Sequence, residues 1–145
     1  MYLSDFLNNH MLMNPLAAWA TAQILKAIIY AVTHRQLDWK RLFGDGGMPS
    51  GHSATVTALA VTAGLEYGLS SGYFAIATIL AIVVMHDAMG VRLEASKHAK
   101  ALNELMDLMN SDLSPDDKMK EFLGHTPLQV CFGALLGFTI ALLLG

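Results

Sequence analysis

The sequence predicts an all-α integral membrane bundle: four transmembrane helices, with a cytoplasmic amphipathic helix between the last two. Three observations carry that expectation. Of 145 residues, 54% are hydrophobic and only 14% charged, too apolar a balance for an ordinary soluble domain. Apolar runs recur at close to the roughly 20 residues a helix needs to cross the hydrocarbon core. Lysine and arginine gather in alternate connections between those runs, as they do when a chain weaves across a membrane. The whole chain, 1–145, reads as one membrane-embedded domain.

The first run covers residues 14–33 and is interrupted by Gln23 and Lys26. The second, 53–69, carries Glu66 near its end and follows Gly46-Gly47-Met48-Pro49-Ser50-Gly51-His52. That fragment sets glycines, a proline, a hydroxyl and an imidazole where a helix begins. Free N–H groups beside a proton donor suit the holding and cleavage of a phosphate ester. The third run, 72–85, is the shortest and needs residues 86–90 to complete a span. Over 93–109, Ala95, Ala99, Leu102, Leu105, Met106 and Met109 recur at three- and four-residue steps, with charges on the other faces. This spacing predicts an amphipathic helix lying at the interface or capping the bundle. Asn110-Ser111-Asp112 ends it, Ser114-Pro115-Asp116-Asp117 forms a polar turn, and 118–123 reads as a brief further helix. The fourth run, 127–144, opens with Thr126-Pro127-Leu128-Gln129, a capping box with proline at the first helical position.

The net charge of −3 hides the asymmetry that orients the chain. Arg35, Lys40 and Arg41 join the first two runs, and Arg92, Lys97, Lys100, Lys118 and Lys120 join the last two; Lys26 lies within the first. Both termini and the Gly68 to Gly72 hairpin carry no Lys or Arg. The positive-inside bias therefore places both termini outside and both longer connections in the cytoplasm, in a bacterial inner (plasma) membrane. The start of the chain lacks a basic n-region, so a cleaved signal peptide is not expected. Trp19, Trp39 and Tyr73 fit interfacial anchoring, and Gly64-xxx-Gly68 and Gly133-xxx-Gly137 permit close helix packing within the subunit or in a homodimer.

With that orientation Lys26, His52, His86, Asp87, Arg92 and His125 all gather at the cytoplasmic end. Ionisable residues within a span are costly and face a bundle interior or polar cavity, which makes Lys26 and Asp87 functional candidates. Two cations, two helix N-termini and several histidines at one level describe an anion site beside the headgroups. Each residue also has a structural reading. Lys26 can snorkel to the surface, Ser50 and Gly51 can be a cap and a turn, and Asp87 and Arg92 can be an ion pair at a helix end.

Met48-Pro49-Ser50-Gly51-His52-Ser53-Ala54, His86-Asp87-Ala88-Met89-Gly90-Val91-Arg92 and Leu123-Gly124-His125-Thr126-Pro127-Leu128-Gln129-Val130 occur in that order. Together they resemble the divergent branch of the type 2 phosphatidic acid phosphatase superfamily, which is related to vanadium-dependent haloperoxidases. The resemblance implies phosphate binding by Lys26, Ser50, the Gly51 amide and Arg92, with His52 as general acid toward the leaving alkoxide. The superfamily's first-motif arginine, followed by proline, is not present, and Arg35 is the candidate to stand in for it. The third motif departs from the family pattern: Val91 stands where serine is usual. Two histidines compete for the nucleophile. His98 keeps the linear spacing from Arg92 but has Leu102 at the orienting position; His125 keeps the architecture, at the head of the last helix, with Gln129 four residues on. His125 is favoured, and Asp87 is the candidate for the missing orienting charge.

The implied reaction is in-line attack by histidine on a phosphomonoester through a phosphohistidine, with no metal or cofactor required. Membrane lipid and a phosphorylated amphiphile are the expected partners: a phosphatidic acid, a phosphatidylglycerol phosphate or a polyprenyl phosphate. Nucleic acid is not an expected partner. Two rivals come from other classes: an inactive descendant that binds phospholipid or serves as a scaffold, and a haem protein using His52 and His125 as axial ligands.

Overall fold

The computed structural model describes residues 2–35, 47–109, 118–119 and 124–145, and among them every regular element is helical. The order is α1 (Tyr2–Leu7), α2 (His10–His34), α3 (Gly51–Tyr67), α4 (Gly72–Met89), α5 (Val91–Leu108) and α6 (Pro127–Leu144). Among the described residues, three stretches are long and apolar enough to cross a membrane: His10–His34, Gly72–Leu108 and Pro127–Leu144. The predicted second span, α3, is a helix of 17 residues. It falls just short of the others in length and occupies the centre of the bundle, packed against α2, α4 and α6.

Local chemistry sets the helix ends. Ser50 caps α3 by accepting from the Ser53 N–H at 3.3 Å, and Ser71 caps α4 by accepting from Phe74 N–H at 3.2 Å. The predicted capping box of α6 is formed in both directions, with Pro127 opening the helix. α2 begins at His10, four residues before the apolar run itself, so Pro15 lies inside the helix. The six-residue α1 has no counterpart among the sequence expectations. Arg35 closes α2 in the left-handed region at φ 53.

Small residues bring the helices together. Ala18 and Ala22 of α2, Ala54 and Ala58 of α3 and Ala141 of α6 form a fully buried cluster. Gly133 sits against the Ser50 carbonyl and Gly137 against the Ala54 carbonyl, so the α6 glycine pair is used within the subunit. Gly64 likewise faces Leu69 and Phe74 of its own chain. Buried polar groups pair across helices, as where Asn14 Nδ2 donates to Thr62 Oγ1 at 3.2 Å. Ile76, Ile79, Ile82 and Val83 of α4 and Leu128, Leu135 and Leu142 of α6 point outward. A surface so apolar requires a lipid solvent, and this is a membrane protein.

α5 follows α4 after a break at Gly90 and, among the described helices, packs on α4 alone. Its stripe is only partly covered: Ala99 is buried, whereas Leu102, Leu105 and Met109 are exposed. The buried polar residue on α5 is Asn103, whose amide donates to the Met119 carbonyl at 2.9 Å and accepts from the Met119 N–H at 3.0 Å. Trp39, Lys40, Arg41, residues 110–117 and most of the predicted helix at 118–123 lie outside the described residues.

Candidate functional site

The first turn of α3, the end of α4, the start of α5 and the residues before α6 meet at one end of the bundle, beside the C-terminal half of α2. Backbone contacts hold them there. The Ser50 N–H donates to the Gln129 carbonyl at 3.1 Å, tying α3 to α6. The His125 N–H donates to the Ala88 carbonyl at 3.0 Å, tying the head of α6 to α4. Gly124 lies against the backbone of Arg92 and Leu93, an approach that leaves no room for a Cβ.

These contacts bring the His52 and His125 rings to a centroid separation of 6.1 Å, tilted by 60°. His125 is buried, and its Nδ1 lies 3.2 Å from Gln129 Oε1. His52 lines two cavities. One, of about 330 Å³, is bounded by Trp19, Gln23, Lys26, Gly51, Thr55, Val56 and Val84. The other, of about 250 Å³, is bounded by Val83, Val84, Asp87, Ala88 and Arg92. Each cavity therefore carries one of the predicted phosphate-binding cations, and they meet at His52 and Val84. Lys26 is buried at 5% exposure, and its aliphatic stem runs under Gly47, whose φ of +96 only glycine adopts readily.

Other predicted site residues are placed differently. Ser50 is fully buried at the α3–α6 contact and lines neither cavity; its hydroxyl oxygen accepts from Ser53 N–H and, at 3.0 Å, from Ser53 Oγ. Asp87 accepts from Arg92 Nε at 2.8 Å, and the pair is roughly half exposed. It is thus engaged by Arg92, and the group on His125 Nδ1 is Gln129, not Asp87. His98 is exposed on α5 and lines neither cavity. Near it, a hydrogen bond and the charge of Lys97 hold the Glu94 carboxyl below its ordinary range. Arg35 is exposed and likewise outside both cavities.

Two residues of the site escaped the sequence reading. Gln23 reads as an interruption of an apolar run and Trp19 as an interfacial anchor, yet both face the Lys26 cavity. Their spacing from Lys26, at i−3 and i−7, is the available signal, since it places all three on one helical face. Gln23 Oε1 is buried with no hydrogen-bond partner among the described residues. Among those residues, no three His, Cys, Asp or Glu side chains converge as metal ligands.

The chain is 40% identical over 152 aligned positions to an uncharacterized membrane protein, YuiD, of Bacillus subtilis (strain 168), an alignment covering 97% of this chain and 96% of that protein. No solved structure matches it. The divergent PAP2 family matches over residues 7–140, which takes in α2 through most of α6 and every residue that lines the two cavities. With nearly its whole length and its site inside that match, the chain belongs to the divergent PAP2 family.

Proposed function

We propose that the protein is an integral membrane phosphatase that hydrolyses a phosphomonoester of a lipid or other amphiphile at the cytoplasmic membrane surface. The observation that carries this reading is the close approach of the His52 and His125 rings, 6.1 Å apart, with a cation-bearing cavity on either side of His52. His125 is the nucleophile: its Nε2 attacks phosphorus as the phosphorus–oxygen bond to the alcohol breaks, and His52 gives its proton to the departing alkoxide. Water then attacks the phosphohistidine, His52 takes a proton back, and inorganic phosphate leaves. Lys26, Arg92 and the amides at the head of α3 offset charge on the phosphoryl oxygens. In this reading α3 is the second of four spans, both termini lie outside, the membrane is a bacterial plasma membrane, and α5 rests its exposed leucines in the interface.

The test is phosphate release from a panel of lipid phosphates by purified protein in detergent, with vanadate and with His52→Ala and His125→Ala. Vanadate-sensitive release lost in both variants supports the reading. A second reading, a lipid-phosphate-binding protein without catalysis, draws on the burial of His125, which lines neither cavity. Binding of the same lipids with no release of phosphate from any of them selects it. A haem ligated by the two histidines draws no such support, since His52 lines both of these cavities and His125 neither.

A further inference from the structure

Gln129 occupies the position where a carboxylate is the ordinary partner of a catalytic imidazole, and the hydrogen bonds around it fix what it does. The Thr126 N–H lies 3.1 Å from Gln129 Oε1. A backbone N–H only donates, so that atom is the amide oxygen and the orientation of the amide is determined. The same oxygen lies 3.2 Å from His125 Nδ1. An oxygen without a hydrogen cannot donate, so Nδ1 carries the proton, and in the neutral ring Nε2 carries the lone pair.

We propose that Gln129 is a positioning residue that sets the tautomer of His125 without charge, presenting Nε2 as the attacking atom. This deepens the phosphatase reading and rests on it for the attack on phosphorus; the tautomer itself is independent of it. The capping box supplies the rigidity. Thr126 Oγ1 accepts from the Gln129 N–H at 3.4 Å while Gln129 returns its oxygen to Thr126, so one side chain closes the helix end and aims the ring. Among the described residues, His52 on α3 faces His125 at a ring separation of 6.1 Å, and the Asp87–Arg92 pair at the α4–α5 junction lines the smaller cavity with His52. Lys26 of α2 stands beyond His52, in the larger cavity. The carboxylate in that set is bound to Arg92, and an amide at 129 adds no second one.

The test is nitrogen-15 NMR of histidine-labelled protein in lipid nanodiscs, which reads the tautomer without any substrate. The expected result is a neutral His125 protonated at Nδ1. Gln129→Glu keeps the capping box, which accepts either residue, but puts a negative charge on Nδ1–H. The His125 titration midpoint is then expected to rise by about one unit or more. Gln129→Met removes the acceptor and is expected to lower kcat with little change in KM. A wild-type ring protonated at Nε2, or a midpoint unmoved in Gln129→Glu, overturns the proposal. If the NMR results hold while the wild-type protein releases no phosphate, the positioning stands and the phosphatase reading is what fails.

Discussion

Replacing Gly133 with alanine tests whether the site depends on the close approach of α3 and α6. A Cβ at this position meets the Ser53 Cβ at 3.0 Å and the Ser50 carbonyl carbon at 3.1 Å, with the Ser50 oxygen nearer still. Carbon atoms rest at about 3.5 to 4.0 Å, so the helices must part by roughly 0.5 to 1 Å. Overpacking of this kind costs about 1 to 3 kcal/mol, while alanine in a helix recovers about 1 kcal/mol over glycine. The net loss of stability is therefore small, roughly 0 to 2 kcal/mol. The effect on chemistry is larger. The displaced backbone is that of Ser50, whose N–H bonds the Gln129 carbonyl and which stands two residues before His52. A misplacement of about 1 Å at reacting groups can cost about a hundredfold in rate. The assays are thermal unfolding in detergent, phosphate release, and hydrogen exchange at the Ser50 amide. Gly133→Ala is expected to unfold within a few degrees of wild type, to exchange faster at Ser50 and to lose most of its kcat. Wild-type exchange at Ser50 together with wild-type kcat refutes the reasoning. Gly64→Ala is the control, because the atoms nearest its Cβ are side-chain carbons of Leu69 and Phe74, at 3.1 and 3.2 Å, where Gly133 meets backbone.

Gln23→Met keeps the length of the side chain and removes a buried carbonyl that has no partner among the described residues. Stability in detergent is expected to rise by about 1 kcal/mol while affinity for lipid phosphate falls, and a fall in both counts against a ligand role for Gln23. Asn103→Leu breaks both bonds to Met119; exchange at the Met119 amide is expected to accelerate, and an unchanged rate shows that other contacts hold residues 118–119. Asp87→Asn removes a half-exposed ion pair, so unfolding is expected to shift by less than about 1 kcal/mol and to lose some of its salt dependence. A loss of several kcal/mol there means that the carboxylate does more than pair with Arg92.

Features of this fold were legible where their cause is local. The capping box at Thr126 and Gln129, the Ser50 cap and the extent of α4 through residues 86–89 all follow from neighbours within four positions. Placing Lys26, His52, Asp87, Arg92 and His125 at one end needed only the alternation of spans. What was not legible depends on which face of an apolar helix turns inward. In lipid both faces of α2 are apolar, so hydrophobic periodicity says little, and Gln23 and Trp19 looked like interruptions instead of cavity walls. Asn103 was hidden for another reason: its partner, Met119, lies sixteen residues away along the chain, beyond any periodic pattern. The 17-residue α3 shows the limit of counting. Packed against α2, α4 and α6 with eight of its residues buried, it is stabilised by its neighbours and has less need of a long apolar exterior.

The differences at Val91 and Gln129 from the wider superfamily's third motif are easier to understand once the site is seen to rest on the main chain. Four contacts present the two histidines: Ser50 N–H to the Gln129 carbonyl, His125 N–H to the Ala88 carbonyl, Gly133 on the Ser50 carbonyl, and Gly124 on the backbone of Leu93. None of them uses the side chain of residue 91, 129 or 87. A scaffold held this way keeps His52 and His125 together whatever polar group stands beside the imidazole, so an acid can give way to an amide without dismantling the site. The glycines cannot give way so easily, because a Cβ at Gly124 or Gly133 strikes backbone, which cannot rotate aside. Substitution at 129 is therefore expected to retune the chemistry of His125, and substitution at 124 or 133 to move it.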